Sequence, residues 1–296
     1  MKPISFKTIE KPKIWGAEHW VLSGLPGEES ETTDGVRLPD LIHEMKGALV
    51  GAAVYARYGD SFPLLAKFLD ARATLSVQVH PNDEMAKRLH HALGKDEMWY
   101  LLDSDAGATL RLGFNRPMTR ADGTTLLRGD ISRLMDVLGT YEVKKGDVFS
   151  LPAGTIHAIG GGIRFAEIQE ASDITYRVYD YDRPDKDGFM RTLHVEEACE
   201  AIDFEHQGAR IDYDREKDDV ELLKMTHFTV NRLFVKGRRT VDRHLDSFVM
   251  VLALDGAATV NGVLTRAGEA LLVPACDNLL RLDGEATLMT VELNWR

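Results

Sequence analysis

Four side chains able to hold one divalent metal fall between positions 78 and 157. Gln78 and His80 stand in Gln78-Val79-His80-Pro81, Glu97 in Gly94-Lys95-Asp96-Glu97, and His157 in Gly154-Thr155-Ile156-His157. Two imidazoles suit zinc, while a carboxylate and a carboxamide oxygen harden the set and also admit manganese, cobalt or iron. Four protein donors need not close such a site, because zinc accepts a fifth ligand from water or substrate. Lys95, two residues before Glu97, puts a cation in the same wall. A metal and a cation together suit chemistry on a carbonyl sugar, whose oxygens gain negative charge during reaction.

These donors need elements that aim them at one spot. The segment 75–80 alternates and stops at Pro81, which predicts a strand with Ser76, Gln78 and His80 on one face and Leu75, Val77 and Val79 on the other. Polar side chains on an inner face are costly unless a ligand or hydrogen bonds satisfy them. Asn82 or Asp83 can N-cap a short helix over 84–93 that ends at Gly94. Further strands are expected at 97–102, 108–114, 141–143, 147–151, 163–169 and 175–179, and helices at 39–49, 132–138 and 195–202. The segment 62–69 reads as helix or strand. After a charged connector at 212–219, taken as surface, a second set of strands runs from 228 to 293. Its expected turns are Gly237, Asp255-Gly256, Asn261-Gly262, Gly268 and Asp283-Gly284.

Many short, turn-punctuated strands favour a sandwich or barrel over a parallel sheet. There is also a weak internal repeat. Gly146, five residues and Pro152 recur as Gly268, five residues and Pro274, each after a strand and a turn. The first copy continues to Gly154 and His157, and the second has no histidine. The expected fold is therefore mainly β, with two related barrels and a few short helices. A catalytic domain with helical additions would span 1–205, and a barrel without metal ligands 220–296.

Bulk properties exclude more than they identify. The chain has 296 residues, 44% of them hydrophobic, and a formal charge of −11, which argues against nucleic acid and disfavours an anionic membrane surface. An anionic small substrate stays open, since a few cations can make one cleft locally positive. No apolar run of about 18 residues and no signal-peptide core are present, so a soluble cytoplasmic protein is expected. Cys199 and Cys276 form no CxxC, so no disulfide framework is expected. Oligomeric state is not legible.

The pattern Gly-(five)-Pro-x-Gly-x-x-His is similar to the second motif of cupins, small jelly-roll barrels with inward-pointing metal ligands. The usual asparagine four residues after the histidine is here Gly161. Together with Gly94-Lys95-Asp96-Glu97-Met98-Trp99-Tyr100 and Ser172-Asp173-Ile174-Thr175-Tyr176-Arg177, these motifs resemble type I phosphomannose isomerases. Ile14-Trp15-Gly16 and the segment 63–70 fit as well, and Tyr179-Asp180-Tyr181-Asp182-Arg183 resembles the short bacterial branch. The likeness covers roughly 10–200, and the last 70 residues match only as a generic second cupin barrel.

That resemblance implies Gln78, His80, Glu97 and His157 as ligands of zinc, with other divalent metals possible. It implies Lys95, Arg177 and Asp173 as the lining of the substrate site, with Glu167 beside them. The implied reaction interconverts mannose 6-phosphate and fructose 6-phosphate through an enediolate. Longer members carry an extra helical domain, for which this chain has only 115–138.

Plainer roles compete with these. Glu97 and Lys95 can form a simple ion pair, and Arg177 an edge salt bridge. The acidic run 180–187 fails the calcium-loop pattern, with Pro184 at a ligand position, and reads as a solvated loop over the barrel mouth. A non-catalytic sugar-binding cupin is the competing function. An iron or manganese oxygenase is a third, disfavoured by Gln78 and Glu97.

Overall fold

A computed structural model describes residues 1–129, 131–185, 187–242 and 246–294. The architecture is mainly β, in antiparallel sheets with short helices. Among the described residues no helix is long and apolar enough to cross a membrane. Contacts divide the chain into two units. One comprises Met1–Ile9, His19–Lys67 and Asp212–Arg296, the other Glu10–Glu18 and Phe68–Ile211.

The second unit carries the metal-ligand candidates. A five-stranded sheet runs in the order Tyr176–Tyr179, Val77–Val79, His157–Ile159, Thr109–Phe114, Leu138–Glu142. A second sheet includes Ala209–Ile211, Val148–Leu151, Glu97–Ser104 and Ile163–Glu170 as successive neighbours. Period-two alternation sorts the side chains. Leu110, Leu112 and Ile159 join Trp99, Leu101, Phe149, Leu151 and Phe165 in one buried cluster. The opposite faces present Val77, Val79, Ala158, Tyr176 and Val178 to Met85, Leu127, Ala198 and Ile202 from the helices Asp83–His90, Arg120–Arg128 and Val195–Ala201 and the residue that ends the last.

Several sequence expectations shift. The strand around Gln78 is only Val77–Val79; Leu75 lies before it and packs into the inner cluster, apart from Val77 and Val79. The following helix stops at His90 rather than Leu93, because His91 adopts a left-handed conformation (φ 54°) and caps it. Asn82 caps its start, its side chain accepting from Met85 N at 2.9 Å. The 39–49 helix is two, Leu38–Met45 and Gly47–Val50, broken at Lys46 with φ 50°. The 132–138 helix shrinks to Leu134–Val137 after a 3-10 turn, and Leu138 already opens a strand. The helix Arg120–Arg128, capped by Thr119, is an addition.

In the other unit, Phe228–Asp242 and Leu279–Leu293 pair along their whole 15-residue lengths. Gly237 and Gly284, expected as turns, are register partners inside these strands. A Cβ on Gly284 would lie 2.5 Å from Ala257 O, so glycine serves close strand approach there. Asp255 and Gly256 sit at a register shift within Val249–Val260 rather than at a turn. Asn261-Gly262 is the true hairpin turn, with both φ angles positive at 47° and 80°.

Candidate metal centre

Backbone clips bring the three motif segments together. Gly154 N–H donates to His80 O at 2.9 Å, and Lys95 N–H to Pro81 O at 3.0 Å. Gly94 N–H donates to Asp83 Oδ1 at 2.8 Å, and Ala153 N–H to Asp96 Oδ1 at 2.8 Å. Strand register then sets the side chains. Arg177, Gln78, His157 and Leu112 occupy one cross-strand row of the five-stranded sheet. Leu151, Glu97 and Gln169 form a row in the other sheet, with Trp99 opposite Glu167 one repeat along.

The result is a buried polar cluster: His80 is 2% exposed, Glu97 1%, His157 1% and Lys95 5%. One donor atom from each of His80, Glu97 and His157 lies within 4.8 Å of the others. The rings of the two histidines are 5.0 Å apart. His80 Nε2 stands 3.6 Å from Glu97 Oε2, and His157 Nε2 3.5 Å from Glu97 Oε1. Lys95 Nζ is 2.9 Å from Glu97 Oε2 and 3.1 Å from His80 Nε2.

Backbone carbonyls fix both imidazoles. His80 Nδ1–H donates to Ile174 O at 2.8 Å, and His157 Nδ1–H to Thr155 O at 2.9 Å. Each Nε2 is therefore left as a lone pair facing the cluster, the arrangement that orients metal-binding histidines. Burial foremost pushes His157 below its ordinary pKa, against the opposing pull of Glu97, so the ring is neutral and able to ligate at neutral pH. Gln78 Nε2 lies 3.2 Å from His157 Nε2, and Ser76 Oγ–H donates to Gln78 Oε1 at 3.2 Å. A half-turn of the amide exchanges its oxygen and nitrogen and would aim the oxygen at the same focus.

The donor set fits a metal. A tetrahedron with bonds of about 2.1 Å has edges of about 3.4 Å, close to the nitrogen–oxygen separations between the imidazoles and Glu97. Both Glu97 oxygens are buried, and neither has a hydrogen-bond partner among the described residues, although Lys95 stands near one of them. An unsatisfied buried acceptor costs about 1–3 kcal/mol, more when charged, and a cation removes that cost.

The remaining candidates are placed differently. Glu167 is buried, and its Oε2 accepts the Trp99 indole N–H at 3.0 Å; Trp99 in turn sits edge-on to His157 with ring centres 5.3 Å apart. Arg177 is half-buried on the edge strand, with Nη1 donating to Thr192 O at 3.1 Å. Asp173 is exposed in the loop before that strand and is not part of the buried cluster. In the expected solvated loop 180–187, Asp182, Pro184 and Asp187 are exposed and Lys186 lies outside the described residues, so only the first residue departs from the expectation. Asp180 is buried, because Arg183 and Arg191 both hydrogen-bond its carboxylate. Trp99, Asp180 and Arg191 were not found from the sequence, since the first depends on strand register and the others on a turn eleven residues long.

Known proteins resemble this chain over almost all of its length. The family model for the catalytic domain of type I phosphomannose isomerase matches residues 4–107. Mannose-6-phosphate isomerase ManA of Bacillus subtilis (strain 168) is 32% identical over 322 residues, covering 99% of each chain. The mannose-6-phosphate isomerase of Streptococcus mutans is 30% identical, again covering 99% of each. The crystal structure of the mannose 6-phosphate isomerase from Bacillus subtilis superposes with a TM-score of 0.86 at 27% identity, over 98% of this chain and 99% of that one.

Proposed function

The chain belongs to the type I phosphomannose isomerase family, and from that premise we propose that it interconverts mannose 6-phosphate and fructose 6-phosphate through an enediolate. The observation that carries the reading is the buried convergence of His80, Glu97 and His157 with Lys95 against them. In it, Gln78, His80, Glu97 and His157 hold zinc, the metal favoured by two imidazole donors. Bound there, zinc supplies polarisation of the sugar oxygens and stabilisation of enediolate charge.

The chain's own residues do the rest. Lys95 brings Nζ against Glu97 and His80, where its donors face the reacting oxygens of a sugar held at the metal. Arg177 adds a second cation from the row that contains Gln78 and His157. Of the two carboxylates proposed for proton transfer between C2 and C1, Glu167 is the better placed. It is buried and oriented by the Trp99 indole, whereas Asp173 stands at the rim. Each contact unit is read as a cupin-type jelly roll, the one without donors being structural.

A non-catalytic sugar-binding module would have Lys95 turned away from the donors, and here it lies against them. The test is to incubate the zinc-loaded chain with mannose 6-phosphate in deuterated water and follow products by NMR. Fructose 6-phosphate carrying deuterium at C1 is expected. No ketose would overturn the isomerase reading, and ketose free of deuterium after many turnovers would remove the enediolate.

A further inference from the structure

Among the described residues, the strand Tyr176–Tyr179 is an edge of the five-stranded sheet, with Val77–Val79 as its neighbour. An edge strand leaves backbone N–H and C=O groups for water or a further strand. At Arg177 one residue takes both. Arg177 N–H donates to His194 Nδ1 at 3.3 Å, and His194 N–H donates to Arg177 O at 2.7 Å. Nearby, Thr192 O accepts from Arg177 Nη1 at 3.1 Å. The segment 192–194 thus grips the backbone and the guanidinium of a single arginine.

His194 departs from the habit of its place. It immediately precedes the helix Val195–Ala201, where a side chain commonly accepts from an N–H of the first turn. The His194 side chain makes no such bond. Its ring lies instead beside that of Tyr176, with centres 6.2 Å apart, and Tyr176 Oη stands 2.8 Å from His90 Nε2. A neutral imidazole accepts only at the nitrogen without a proton, so the bond from Arg177 selects the Nε2–H tautomer.

Arg177 shares its cross-strand row with Gln78 and His157. Its Nε is a buried donor without a partner among the described residues, so the anchored guanidinium keeps a donor for an oxygen of the sugar. Arginine is long and rotates freely, and holding it before the sugar arrives removes an ordering cost from the reaction. We propose that His194 is a positioning residue, which locks Arg177 on the sheet edge so that its guanidinium meets the reacting oxygens. The role assigned to Arg177 rests on the isomerase reading, whereas the lock itself does not.

The test is mannose 6-phosphate turnover by the zinc-loaded full chain, with His194 varied in the wild-type and Arg177→Ala backgrounds. His194→Ala should lower kcat about tenfold, with KM changed less than about twofold and zinc content unchanged. His194→Asn, whose Oδ1 falls where Nδ1 was, should recover most of the loss. In the Arg177→Ala background, His194→Ala should cost nothing more. Wild-type kcat in His194→Ala, or an equal further loss in the Arg177→Ala background, would overturn the proposal. Should the variants fail to fold, the tautomer of His194 in the wild-type chain decides, read from its nitrogen resonances. A proton on Nε2 upholds the lock and a proton on Nδ1 overturns it. Absence of wild-type turnover would refute the isomerase reading alone, and exchange of the Arg177 amide hydrogen would then judge the lock. Slower exchange in wild type than in His194→Ala upholds it, and equal rates overturn it.

Discussion

Two strands in the two units are built alike and end differently. Val148–Leu151 and Ala270–Val273 are each preceded by a left-handed glycine, Gly146 and Gly268, and each is followed by a proline. Beyond Pro152 the chain turns through Gly154 and delivers His157 into a row with Gln78. Beyond Pro274 it continues as Ala275-Cys276-Asp277-Asn278, with no histidine to deliver. The interiors differ accordingly. Around the apolar cluster of Val251, Leu271, Val273 and Leu288, the buried polar side chains among the described residues of 220–296 are Ser247, Thr265 and Thr290, none of them ionisable. Around Trp99 and Leu112 the apolar cluster shares its strands with Glu97, His157 and Glu167. Buried polar groups weaken a core unless a partner satisfies them. One unit thus spends stability on a site, while the other has the makings of a plain scaffold.

Breaking the polar interior should have the largest effect. His157→Ala should abolish zinc retention and lower kcat on the order of a thousandfold. Metal analysis and the isomerase assay on the same sample check both. Arg177→Ala sharpens the contrast within the site, since it should keep zinc while kcat falls on the order of a hundredfold. Full activity in that variant would remove Arg177 from the reaction. In the apolar interior the outcome should invert. Leu288→Ala should cost about 3 kcal/mol in denaturant unfolding, by leaving a cavity, yet leave zinc content and kcat at wild-type values.

The smallest effect concerns Glu170, which follows Gln169 at the end of its strand. Burial foremost, with Asp83 and Asp96 adding repulsion, raises its pKa to about 8. The folded chain then holds a proton that the unfolded chain releases near 4.5. Its contribution is present below pH 4.5 and is lost as pH rises through about 8. Glu170→Gln keeps an acceptor for Asp96 N–H and carries no charge. It should be more stable than wild type at pH 9 and no more stable at pH 4.5, measured by denaturant unfolding at both.

What could be read from the sequence was what lies close in sequence. The His80 and Glu97 segments and the His157 loop are local motifs, and the structure brings their side chains together. Mainly β architecture was legible because alternation and turn residues are local signals. Three features were hidden for separate reasons. The helix Arg120–Arg128 contains Gly123, which reads as a breaker. A Cβ there would meet the Phe204 ring at 2.0 Å, so tertiary packing chose the residue. The Trp99–Glu167 bond depends on register between strands 68 positions apart. The acidic run from Asp180 looked solvated because its arginine partners lie across a turn, and acidity alone does not reveal pairing.

The most direct measurement is the turnover of mannose 6-phosphate by chelator-treated full chain, before and after stoichiometric zinc, with bound metal counted. The account predicts no turnover after chelation, recovery on adding zinc, and one ion per chain. Turnover that survives complete removal of metal would contradict it, as would full zinc binding by His157→Ala.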